Sequence, residues 1–164
     1  MRQQVFIRIP YILLLLWALT ALIVAFYLQF FADLDPCILC IYQRYPYLAV
    51  VIVAIIALIT LPSLSTVWHY STIAILVSGV LLALFHFGIE VDQQWWQGFD
   101  SCTSLDVQQA QNLDELLSML HDSTPCNKPA MLIFGLSLTF WNMTSQLVVL
   151  AFVLFARVIF RNAN

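Results

Sequence analysis

Four long apolar runs, each almost free of charge, dominate this chain of 164 residues. A helix needs about 20 largely apolar residues to cross a hydrocarbon core about 30 Å thick. Residues 11–31 supply 21 without a charge, preceded by Pro10, which helices accept in their first turn. Residues 45–61 supply 17, a short span stopped by Pro62. Residues 67–89 supply 23, with His69 near one end and His86 near the other. Residues 131–156 supply 26, interrupted only by neutral polar residues such as Asn142 and Gln146. Lipid offers no partners to backbone amides, so each span must satisfy its own as a helix. The pattern predicts an all-α integral membrane four-helix bundle.

Composition agrees. Charged residues make up only 9% of the chain, whereas soluble domains carry about 25%. A soluble enzyme and a disordered tail are excluded, and a net charge of -3 leaves no basic footprint for nucleic acid. The length suits one membrane unit over 1–164, without internal repeats. The first run follows Arg2 and Arg8 as a signal peptide would. It is longer than a usual secretory core and no A-x-A site follows, so a retained anchor is expected.

Basic residues set the orientation. Arg2 and Arg8 precede the first span, and Arg157 and Arg161 close the fourth. The positive-inside rule puts both termini in the cytoplasm. A short loop at 32–44 and a long one at 90–130 then face outward, and all nine acidic residues fall in these two segments. Arg44 and Lys128 are the two basic residues on that side.

Every cysteine also falls there: Cys37 and Cys40 in the short loop, Cys102 and Cys126 in the long one. Extracytoplasmic compartments are oxidising, so four such cysteines read as disulfides, with three pairings possible. A Cys37–Cys40 bridge closes a small, reducible C-x-x-C ring. It would leave Cys102 and Cys126 to close a loop with 23 residues between them, worth roughly 3–4 kcal/mol. Inert bracing explains the long-loop pair as well as chemistry does. It explains the C-x-x-C poorly, because so small a ring stabilises little. A zinc site fits neither the oxidising compartment nor a neighbouring cation.

The sulfurs lie beside the start of the second span, where a helix N-terminus favours thiolate. Arg44 follows Cys40 by four residues and Cys37 by seven, on one helical face. A cation at the membrane edge needs an anionic or polar partner, such as a Cys40 thiolate or the carbonyl of a lipid-soluble cofactor. Snorkelling to headgroups is the plainer alternative.

The string Pro36-Cys37-Ile38-Leu39-Cys40-Ile41-Tyr42-Gln43-Arg44 resembles the signature of the DsbB family. Trp95-Trp96-Gln97-Gly98 before Cys102, Pro125-Cys126 and Phe134-Gly135-Leu136-Ser137 look familial too. The resemblance implies a quinone reductase of the bacterial inner membrane that reoxidises a periplasmic DsbA-like thiol oxidase. It implies a relay in which the partner attacks a Cys102–Cys126 disulfide at Cys102. Cys126 then attacks Cys37, and the freed Cys40 passes electrons to ubiquinone or menaquinone, supported by Arg44. No metal is required. Directionality is a potential difference, so the reverse, as in vitamin K epoxide reductases, is the alternative within the class.

Residues 113–121 carry Leu113, Leu116, Leu117 and Leu120 at helical spacing behind an Asn112 cap. They predict a short helix lying on the membrane surface, or else packed on protein, and either leaves Cys126 on a tethered, movable segment. His86, near the outer end of the third span, is a candidate for a quinone carbonyl or a polar packing residue. Trp141 and Asn142 are read as packing, and Ser78 and Gly79 as permitting close helix approach.

Overall fold

The computed structural model describes residues 2–60, 65–91 and 126–162. Cys102, the tryptophans at 95 and 96 and the expected surface helix at 113–121 lie outside the described residues. The elements are α1 (Arg2–Phe31), α2 (Ile38–Tyr42), α3 (Arg44–Ile59), α4 (Ser65–Val91), β1 (Leu132–Ile133), β2 (Leu136–Ser137) and α5 (Leu138–Asn162). Four stretches are long and apolar enough to cross a membrane: Arg8–Phe31, Ile38–Ile59, Thr66–Val91 and Leu138–Ala156.

α1 packs on α3, α3 on α4 and α4 on α5, and a smaller α1–α5 contact closes the bundle. The inward stripe of α1 is Tyr11, Leu14, Ala18 and Leu22, at helical spacing. It meets Tyr47 and Val50 of α3, Leu76 of α4 and Val153 of α5. The outward faces are equally apolar. Ile23 is 66% exposed and Phe155 67%, which suits lipid and would be a liability in water.

Small residues bring the helices together. A Cβ on Gly79 of α4 would sit 2.2 Å from Gln146 Oε1 of α5 and 3.1 Å from Pro46 Cβ of α3. Without a strong solvent-driven force between helices in lipid, such close approach supplies the packing. From α4 to the residue that closes α3, Trp68 Nε1 donates to Thr60 Oγ1 at 2.9 Å.

Several boundaries differ from the apolar runs. α1 begins at Arg2 and carries Pro10 inside it, because a helix needs hydrogen bonds, not apolarity, to extend beyond lipid. It stops at Phe31, where Asp33 turns left-handed (φ 48°) and the Leu34 amide returns to Leu28 O at 3.2 Å. The second span opens with a separate five-residue helix, α2, and a turn at Gln43, before α3 begins. α4 continues past residue 89 to Val91, so Glu90 belongs to the bundle and not to a loop.

The fourth span does not start at Met131. A hairpin occupies 132–137, with Leu132 opposite Ser137 and Ile133 opposite Leu136. Phe134 (φ 54°) and Gly135 (φ 80°) form its two-residue corner with two positive φ values, the pattern hairpin twist demands. Ser137 then caps α5, its Oγ accepting from the Phe140 amide at 3.2 Å.

Candidate functional site

The end of α1, α2, the end of α4, the start of α5 and the segment at Cys126 meet at one end of the bundle. Pro36 leads the chain into α2 through an extended Cys37 (φ -66°, ψ 166°), whose side chain caps the helix. Cys37 Sγ accepts from the Cys40 amide at 3.3 Å and lies 3.0 Å from Cys40 Sγ. Cys37 and Cys40 are both free thiols, with no bridge between them.

Cys126 is brought to the same place although 85 residues separate it from Cys40 in the sequence. It is fully buried, packed with Cys37, Leu39 and Ile89. Cys37 Sγ, Cys126 Sγ and a His86 ring nitrogen all lie within 4.8 Å of one another. That is close enough for a shared metal ion, and equally a geometry from which one sulfur can attack another. The structure thus sets Cys126 beside Cys37.

The expectation that a helix N-terminus favours thiolate fails at Cys37. The hydrogen bond with Cys126 pulls this thiol down, but sharing its proton with Cys40, burial and the Cys40 charge push it up to about 12. A helix of one turn has little dipole to oppose them. Cys37 is therefore the protonated member of the pair, donating to Cys40.

His86 is buried, 2% exposed, with Nε2 3.5 Å from Cys37 Sγ. Its Nδ1 meets Gln43 Nε2 at 3.0 Å, and Gln43 Oε1 accepts from Asn142 Nδ2 at 2.8 Å. Asn142 Oδ1 in turn accepts from Tyr47 OH and from Gln146 Nε2. Asn142, expected to be packing, is a link in this chain. Glu90, one turn after His86, places Oε1 3.9 Å from His86 Nε2 and accepts there from Thr139 Oγ1 at 2.7 Å.

Arg44 finds its partner on α1. Nη1 donates to Gln29 Oε1 at 2.7 Å and the guanidinium lies 4.8 Å over the Phe26 ring. Neither contact was legible as a pair in the sequence, since Gln29 and Phe26 look like ordinary span residues. Trp141 Nε1 donates to Ile133 O at 3.1 Å and ties the hairpin to α5. His69 lies at the other end of α4 against Tyr70, remote from the sulfurs.

A cavity of about 480 Å³ opens beside the sulfurs. One wall is apolar, from Trp17, Ala21, Val24 and Leu28 of α1; the other carries Cys40, Arg44, His86 and Glu90. Sequence reading found Cys37, Cys40, Arg44, Cys126 and His86 but missed Gln43, Glu90 and Thr139. Two of these signals were available: Gln43 lies inside the cysteine motif, and Glu90 stands four residues after His86.

Spanning helices around a buried thiol cluster define a multi-pass membrane protein built for thiol–disulfide chemistry. The model of the family described as "Disulfide bond formation protein DsbB" matches residues 7–156, nearly the whole chain. The chain belongs to the DsbB family, and with that membership comes thiol oxidoreductase activity in disulfide bond formation. It is also similar to an uncharacterized protein, RP370, of Rickettsia prowazekii (strain Madrid E), at 28% identity over 141 residues, 82% of this chain and 78% of that protein. No solved structure matches.

Proposed function

We propose that this chain reoxidises a periplasmic DsbA-like thiol oxidase and delivers the electrons to a membrane quinone. The observation that carries the reading is the cavity in which Cys40 and Arg44 face an apolar wall of α1, next to the Cys37–Cys126 sulfurs.

The residues suit a quinone. An apolar wall takes the ring and the start of its tail, and Arg44 supplies a permanent donor toward a carbonyl oxygen. When bound, a quinone supplies a lipid-soluble acceptor for two electrons and two protons. The protein's part is sulfur exchange and orientation. The partner's thiolate attacks a Cys102–Cys126 disulfide at Cys102, releasing Cys126. Cys126 then attacks Cys37 of an oxidised Cys37–Cys40 pair, from the position it holds against Cys37. Cys40 leaves as thiolate into the cavity; the partner's second thiol then releases Cys102, whose thiolate attacks Cys126 and frees Cys37, restoring the Cys102–Cys126 bond. Rates in such exchange depend on the attacking and leaving thiols and on access. Gln29 and Phe26 hold Arg44 at the cavity wall and reduce the ordering it needs on binding.

The site end faces the periplasm of a bacterial inner membrane, with both termini in the cytoplasm. The basic residues at 2, 8, 157 and 161, all toward the opposite end of the chain's spans, support this orientation.

The test is oxidation of a reduced DsbA-like thioredoxin-fold protein by the purified chain, with and without ubiquinone or menaquinone. Quinone-dependent turnover abolished by Cys40→Ser is expected. Absence of turnover with unreactive cysteines would replace this reading with a disulfide-braced scaffold.

A further inference from the structure

We propose that Glu90 is the proton-accepting group of the sulfur–quinone site, with His86 locked beside it as a hydrogen-bond donor by Gln43 and Asn142. The inference rests on the quinone-linked reading above and names the group that moves the proton in it.

The polarity of the buried amide chain carries the first half. Asn142 Oδ1 accepts from Gln146 Nε2, so Asn142 Nδ2 faces Gln43 and Gln43 Oε1 must accept it. Gln43 therefore turns Nε2 toward His86 at 3.0 Å. An amide nitrogen only donates, so His86 Nδ1 must be the acceptor and its ring proton sits on Nε2. Reversing Gln43 alone would set two amide nitrogens against each other. The Nε2–H points at Cys37 Sγ (3.5 Å) and Glu90 Oε1 (3.9 Å). With Nδ1 filled and Nε2 already protonated, His86 has no free lone pair with which to take a thiol proton.

Glu90 has one. Its side chain is 7% exposed; Oε1 is occupied by Thr139, and Oε2 is buried with no hydrogen-bond partner among the described residues. The carboxylate borders the cavity that Cys40 and Arg44 also line. Among the described residues, the other titratable or charged groups around it are His86 on its own helix, Asp35, Cys37 and Cys40 before and within α2, Arg44 and Tyr47 of α3, and Lys128 with nearby Cys126. Among the residues lining the cavity, α5 contributes only neutral side chains. Asp35 and Lys128 are exposed, which leaves Glu90 as the buried carboxylate among the described residues.

The balance is simple. Two thiols becoming a disulfide release two electrons and two protons, and a quinone becoming a hydroquinone takes up both. One S–H bond of the Cys37–Cys40 pair breaks and an O–H bond forms on Glu90; the second thiol proton is released to solvent, and the hydroquinone takes its own second proton from solvent. The proton on Glu90 passes to a quinone oxygen as the Cys37–Cys40 bond closes. Gln43 and Asn142 act only through His86, as positioning residues.

The test compares Glu90→Gln, Glu90→Asp and His86→Gln in the full chain. Removing a proton acceptor should lower kcat for quinone reduction by on the order of 10²-fold in Glu90→Gln, with quinone KM unchanged. Glu90→Asp, which keeps a carboxylate, should recover part of that loss. His86→Gln, which keeps an N–H donor, should lose less than Glu90→Gln. Independently of turnover, the quinone-free wild-type chain is reduced with dithiothreitol and followed by infrared difference spectroscopy. A protonated-carboxyl stretch should appear on reduction and be missing in Glu90→Gln. A larger loss in His86→Gln than in Glu90→Gln, or a band that survives in Glu90→Gln, overturns the proposal. If the wild-type chain shows no quinone-dependent turnover, the functional reading falls, and the infrared band still decides the role of Glu90.

Discussion

Cys126 lies buried against Cys37, its sulfur within 4.8 Å of the Cys37 sulfur, although 88 residues separate them in the sequence. No disulfide joins Cys37 to it, so the arrangement is that of a nucleophile held beside its target. Disulfide formation needs little further movement from there.

If Cys126 is the group that resolves the partner complex, Cys126→Ser should trap it. Incubation with a reduced DsbA-like protein should accumulate a mixed disulfide through Cys102, read on a non-reducing gel and mapped by peptide mass. An adduct at Cys37 would reverse the order of the relay.

Cys37→Ser removes the target without removing a brace. The variant should purify with an unfolding transition close to wild type and show no turnover. A large loss of stability would identify the C-x-x-C as structural.

Arg44→Ala removes the cation from the cavity wall but touches no sulfur. Quinone KM should rise or kcat fall, while alkylation of the reduced cysteines stays as in wild type. Unchanged quinone kinetics would remove Arg44 from the site.

The Cys37 thiol, pushed up to about 12 by its proton sharing with Cys40 and by burial against the opposing pull of Cys126, sets a pH dependence. A raised value means the neutral thiol persists through physiological pH and the thiolate grows only as pH climbs toward 12. In the reduced chain, iodoacetamide should therefore modify Cys37 more slowly than a free cysteine at pH 8, and the rate should still be rising at pH 10. A plateau near the ordinary cysteine range, about 8.5, would contradict the hydrogen bond to Cys40.

Gly79 has a purely structural prediction. Gly79→Ala should destabilise the bundle by about 1–3 kcal/mol, because the new methyl meets Gln146 Oε1 and must displace it from between α4 and α5. Denaturant titration in detergent micelles measures this. An unchanged midpoint would show that Gln146 swings away without cost.

What the sequence determined by itself was the bundle and the C-x-x-C at the entry to its second span. Lipid forces every backbone amide to be satisfied within its own segment, so long uncharged runs leave one architecture open. A C-x-x-C followed by Arg44 at helical spacing is a local pattern, complete within nine residues from Pro36. Where tertiary structure decided, the partners lay far apart along the chain. Nothing local pairs Arg44 with Gln29, puts Asn142 behind Gln43, or moves Glu90 from an assumed loop into a buried carboxylate against Thr139. Likewise, the start of α5 at Leu138 was set by the Phe134-Gly135 corner, a backbone choice that an apolar run conceals. Hydrophobicity fixes which segments leave water. Hydrogen-bond satisfaction in the dry interior, resolved only when helices pack, fixes which polar side chains meet.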